Sequence, residues 1–125
     1  MKALKVLPQR SPKLVDIDQS LESLQHEVDG YIQVIYPFED KVAIVCDDEG
    51  KINGKEPNRV LQDEDGKVYD VLCGTFLIVG LSDDDFTDLS LELIDKYINK
   101  YESPEYFVRT SSGIAVLRDS EMFFI

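Results

Sequence analysis

Val42-Ala-Ile-Val-Cys46 is apolar at every position. In an extended strand successive side chains point to opposite faces, so Val42, Ile44 and Cys46 share one face and Ala43 and Val45 the other. Both faces then need cover, which places this strand inside a sheet packed on each side. Strands are expected on either side of it in sequence. Residues 31–36 form one, closed by Pro37, and residues 68–72 and 75–81 form two more with Gly74 between them. Asp47-Asp-Glu-Gly50 and Asp63-Glu-Asp-Gly66 read as turns, and residues 51–59 as a loop. Nearer the N-terminus, residues 2–7 and 13–17 are β-prone on either side of Pro8-Gln-Arg-Ser-Pro12.

Two segments carry helical spacing. Leu21, Leu24 and Val28 lie on one stripe, with Asp18 as the expected N-cap and Gly30 just past the end. Ser90 opens the second helix, in which Ile94, Tyr97, Ile98 and Tyr101 recur at i, i+3, i+4 and i+7, and Pro104 stops it. Ser82-Asp-Asp-Asp85 has the form of a capping box and predicts a single helical turn. Residues 106–109 and 114–117 flank Thr110-Ser-Ser-Gly113 as a hairpin. The chain ends on Met122-Phe-Phe-Ile125, an apolar terminus expected to dock on the body or on a neighbouring copy. Strands outnumber helices and connections are short, which leaves little room for helical crossovers. The expected fold is α+β, a single domain with a largely antiparallel sheet, two amphipathic helices and a C-terminal hairpin. Residues 1–101 form its core, and 102–125 a C-terminal extension packed on the same domain.

The chain has 125 residues, enough for one core without staples. No apolar run approaches the about 18 residues of a membrane span, and the apolar start is interrupted at Pro8 too early for a signal peptide, so a cytoplasmic protein is expected. Two cysteines, Cys46 and Cys73, suit a reducing compartment. Twenty-five acids face 13 Lys and Arg, a net charge of −12. Residues 1–15 carry four cations and no acid, so the other 110 residues carry −16. Such a body repels phosphate backbones, and direct nucleic-acid binding is disfavoured.

Several chemistries lack their residues. Zinc needs three or four clustered ligands, whereas Cys46 and Cys73 are isolated and His26 is the single histidine. Counting back from Gly50 and Gly66 puts Val45 and Leu61 where an EF-hand loop needs its first acid. Gly50-Lys-Ile-Asn-Gly54-Lys55 mimics the end of a phosphate loop without its spacing, its Ser or Thr, or a following helix. No nucleophile elbow surrounds Ser111 or Ser112, and no carboxylate pair is marked by an apolar setting. Neither a catalytic constellation, a metal site nor a cofactor is indicated.

The loop Gly54-Lys-Glu-Pro-Asn-Arg59 stands out instead. Pro57 stiffens the backbone beside Asn58, which either closes a local turn or offers a polar anchor. Arg59 either pairs with Asp47, Asp48 or Glu49 or presents its fork to an anion. Together Gly30-Tyr-Ile32, Asp48-Glu-Gly50, Pro57-Asn-Arg59 and Gly74-Thr-Phe76 stand in an order that resembles a small family of unknown function. That family occurs in bacteriophages, plasmids and conjugative elements, mainly of Gram-positive bacteria. The resemblance covers roughly residues 1–100, most closely 21–81. It implies no catalytic residues, only the setting of a mobile element, whose small proteins are often accessory factors that bind a host protein or sequester a nucleotide.

The expectation is therefore a small acidic accessory protein acting as a non-enzymatic protein-binding module. Its partner would be a basic surface, or a second copy met through the C-terminal segment. Three acidic triplets, 47–49, 63–65 and 83–85, stand at strand ends and would form an anionic rim if the topology gathers them. The alternative is a small-ligand, nucleotide-like binder, with Lys55 and Arg59 as cations, Asn58 as anchor and Tyr31 or Tyr36 stacking on a base. The candidate residues are thus Lys55, Asn58, Arg59, Tyr31, Asp47, Asp48 and Glu49.

Overall fold

The computed structural model describes residues 1–125. Eleven strands and two helices follow in the order β1 (Lys2–Val6), β2 (Lys13–Asp16), α1 (Leu21–Val28), β3 (Ile32–Ile35), β4 (Val42–Asp47), β5 (Pro57–Gln62), β6 (Val68–Cys73), β7 (Phe76–Leu81), β8 (Phe86–Thr87), α2 (Leu91–Tyr101), β9 (Tyr106–Thr110), β10 (Gly113–Arg118) and β11 (Glu121–Phe124). The main sheet runs β2-β1-β7-β4-β3, with β8 paired to β7, and every pairing in it is antiparallel. The mostly antiparallel α+β class follows directly from this.

The period-two pattern of β4 works as read. Val42, Ile44 and Cys46 enter one core with Leu4, Val6, Phe76 and Ile78, covered by α2 through Ile94, Tyr97 and Tyr101 and by the β5–β6 ribbon through Leu61 and Leu72. Ala43 and Val45 enter a second core with Ala3, Leu77 and Val79, covered by α1 through Leu24 and Val28. The sheet is thus the middle of three layers, with all six residues of β4 buried. Aromatic rings close the α2 side, where Phe76 meets Tyr101 edge-on at 5.7 Å.

Four local expectations are corrected. Ser20, not Asp18, caps α1: its hydroxyl accepts the Ser23 N–H at 3.2 Å, and Asp29 ends the helix in the left-handed region at φ 55°. Pro57, Asn58 and Arg59 do not belong to a loop but open β5. Pro57 is tolerated there because the ribbon edge asks little of its missing donor. Residues 82–85 form no helical turn. Ser82 and Asp85 close a tight β7–β8 connection in which the Ser82 N–H reaches the Asp85 carbonyl at 2.8 Å. The C-terminal segment is not only a hairpin, since Glu121–Phe124 pairs with β10 and completes a separate sheet in the order β11-β10-β9. Buried Glu105 ties that sheet to the ribbon by accepting the Val60 N–H at 2.8 Å and pairing with Arg118 at 3.0 Å.

Candidate functional site

The segments that stand out in the sequence converge on one end of the main sheet, where β4 finishes and β7 begins. Asp47, at the end of β4, is buried beneath Gly30, where a Cβ would lie 2.5 Å from its carboxylate. Its Oδ1 accepts the Glu49 N–H at 3.0 Å, and Lys55 Nζ stands 2.6 Å from Oδ2 as a close ion pair. Burial pushes the Asp47 carboxyl up, but Lys55 and the Glu49 N–H outweigh it and hold it below its ordinary value. The same ammonium donates to the Val28 and Asp29 carbonyls, at 3.0 and 2.5 Å, at the C-terminal end of α1 where a cation is favoured. Gly74, at φ 84°, leaves room for the Lys55 stem, and Gly50 sits against the Cys73 carbonyl, where a Cβ would approach to 2.6 Å.

Asn58 and Arg59 are fully buried. Asn58 Nδ2 donates to the carbonyls of Val6 and Gly74, both at 2.9 Å, and so joins the ribbon to the main sheet. Its Oδ1 accepts Arg59 Nη1 at 2.8 Å. Arg59 Nη2 donates to the Arg10 and Tyr101 carbonyls at 2.7 and 2.8 Å, while Nε makes no hydrogen bond. Burial lowers the Arg59 pKa, offset in part by Glu105. Arg59 pairs with none of Asp47, Asp48 or Glu49, and its two terminal nitrogens are spent on backbone carbonyls and the Asn58 side chain. Of the proposed cluster, Lys55, Asp47 and Asp48 meet at one end of the sheet near exposed Tyr31, whose carbonyl accepts the Asp48 N–H at 2.8 Å. Asn58 and Arg59 face inward instead. Donors that an anion would need on this loop are already used to hold four elements together.

The opposite end has a different character. Antiparallel pairing brings Tyr36, the 37–41 loop and the 82–85 turn together there, because Ile35 pairs with Ile44 and Val42 with Gly80. A cleft of about 700 Å³ runs from Tyr36 and Phe38 across to Tyr69 on the ribbon and Lys96 and Lys100 on α2. Glu39, Asp40, Asp63 and Glu64 line it, and a smaller hollow joins Tyr36 to Asp83, Asp84 and Asp85. Two of the three acidic triplets thus share this end, and Asp47–Glu49 stands apart at the other. Lys96 is neutralised by Asp40 at 2.6 Å, and this pair, with the Tyr97 hydroxyl, lowers the Asp40 pKa. Lys96 and Lys100 stand over the rings of Tyr97 and Phe38 at 5.7 and 5.6 Å, so cations already rest on aromatic faces here. Tyr36 and Tyr69 are 65% and 57% exposed, unusual for large aromatics flanking a cleft. Tyr69 escaped the sequence reading. Its signal was the alternation of β6, in which Tyr69 falls on the outward phase opposite buried Leu72.

No group of three or more His, Cys, Asp and Glu side chains is arranged to hold a metal ion, and no helix is long and apolar enough to cross a membrane. No curated protein and no solved structure matches the chain. A family model described as "Domain of unknown function (DUF3846)" matches residues 1–102, which spans both ends of the sheet and stops before β9. The four segments that meet around Asp47, Lys55 and Asn58 all fall inside that match, and the chain belongs to the DUF3846 family.

Proposed function

We propose that the protein is a non-enzymatic protein-binding module, a small cytoplasmic accessory factor of the mobile-element kind, that takes a basic partner at its acidic end. One observation carries this reading: exposed Tyr36 and Tyr69 are interleaved with Glu39, Asp63 and Glu64 around an open cleft, and Tyr36 also borders the adjoining hollow lined by Asp83–Asp85. Carboxylates supply long-range steering, and the tyrosine faces supply contact for the stems and charged heads of lysine or arginine. The cleft's own lysines show the same contact within the chain. The sequence resemblance to proteins of phages and plasmids supports an accessory role.

A lysine- and arginine-rich peptide titrated into the protein by calorimetry tests it. Binding should weaken several-fold for each two-fold rise in salt and fall at least ten-fold in a variant with Asp83, Asp84 and Asp85 all changed to Lys. Asp48→Lys, at the far end, should leave it nearly unchanged. Binding that ignores the charge reversal refutes the proposal.

A further inference from the structure

The C-terminal sheet has one face turned to solvent, and that face is apolar. Cross-strand register aligns Tyr106, Leu117 and Met122 in one row and Val108, Ala115 and Phe124 in the next. The alternate residues Phe107, Val116 and Phe123 point to the body, and Val116 is fully buried. On the outer face Tyr106, Val108, Leu117, Met122 and Phe124 are 45%, 45%, 38%, 61% and 50% exposed. No charged residue stands in either row. These five side chains present roughly 400 Å² of contiguous apolar surface, as large as the biggest patch on an ordinary monomer and half of the roughly 800 Å² each partner gives to a standard interface.

We propose that this face is a self-association surface whose occupant is a second copy of the chain. Two arguments select that occupant. A chain of net charge −12 repels its own copies wherever carboxylates would meet, and this face, whose two rows carry no charged side chain, is where two copies can touch with little of that cost. The central strand also carries its own complement. Leu117 projects from β10 while Ala115, two residues away, is recessed between Val108 and Phe124 and only 3% exposed. A twofold axis passing over Val116 and across the strand stacks two antiparallel β10 strands, so that each Leu117 lies over the other copy's Ala115. An isologous contact of two sheet faces has this form. Residues 103–125 lie beyond the family match, so the surface stands outside the matched residues.

Light scattering over the micromolar range, at low and high salt, decides the matter on the full chain. The expected mass is that of two copies, and added salt tightens the dimer by screening like charges. The basic-peptide complex responds to salt in the opposite direction, so the two proposals fail separately. Leu117→Glu should weaken the dimer at least ten-fold while leaving the circular dichroism spectrum and the peptide affinity unchanged. Val108→Glu gives the same test should Leu117→Glu not fold. A native monomer at every concentration and salt, as a face reserved for another protein would give, overturns the inference. So does a dimer that both variants leave intact.

Discussion

Replacing Asn58 by alanine should unfold the protein far more readily than an exposed polar substitution would. The side chain makes three hydrogen bonds while fully buried: Nδ2 to the Val6 and Gly74 carbonyls and Oδ1 from Arg59 Nη1. Each neutral bond contributes about 1 kcal/mol, and the bond from the guanidinium about 2 kcal/mol. Alanine also leaves two carbonyls buried without a donor, so the loss should reach about 4 kcal/mol, a large share of the roughly 5–15 kcal/mol that stabilises a domain. With a urea dependence near 2 kcal/mol per molar, the midpoint falls by about 2 M. Tyrosine fluorescence and circular dichroism follow the transition, since the chain has six tyrosines and no tryptophan. Asn58→Asp should be no better: the carboxylate would attract Arg59 but oppose two carbonyl oxygens. A loss below about 1 kcal/mol for the alanine variant would refute the account of Asn58 as the bolt between ribbon and sheet.

Acid should act through Asp47. Its carboxyl titrates lower in the folded chain than its ordinary 3.8, so the stability it contributes is fully present above that value and is lost as pH falls through the lower folded value. Urea midpoints of the native protein should therefore drop below about pH 4, and those of Asp47→Asn should drop less. Lys55→Met leaves that carboxylate buried without its cation and should cost about 3 kcal/mol near neutral pH, measured by the same unfolding. Gly50→Ala forces a Cβ to within 2.6 Å of the Cys73 carbonyl and should cost about 2 kcal/mol, whereas Gly66→Ala meets nothing and pays only for its φ of 81°. Burial first, and Asp47 second, push the Cys46 thiol up to about 11, so a thiol reagent at pH 8 should label Cys46 only as fast as the protein opens.

The middle layer was readable because its residues obey one simple rule. A strand apolar on both faces has to be covered twice, and β4 is, by α1 on one side and α2 with the ribbon on the other. The second helix was readable for the same reason, as a period of 3.6 with a serine at its start. Pro57-Asn-Arg59 misled because proline and asparagine are signals of loops, and nothing local shows that Asn58 finds carbonyls 52 and 16 residues away. The sequence marks Lys55, but its partner in α1 and the glycine, Gly74, that makes room for its stem depend on strand order, which spacing does not reveal. In β9, Tyr106 and Val108 alternate with Phe107 and Arg109, so each phase carries a large aromatic and, taken alone, alternation would send Arg109 rather than Val108 to solvent. Only the docking of the sheet through Glu105 and Val116 decides which phase faces water.

The neighbour of β1 on its inner side is β7, with Leu4 set against Ile78. During synthesis, at about 5–20 residues per second, the first strand therefore waits several seconds for the strand that closes over it. Over that interval β1 has only β2 beside it, and the four basic residues of the β1–β2 segment, Lys2, Lys5, Arg10 and Lys13, emerge ahead of an increasingly acidic chain. The long-range closure should be the slow step of folding, and the opposite charges of head and body give it a direction. Salt should accordingly slow the refolding of this protein.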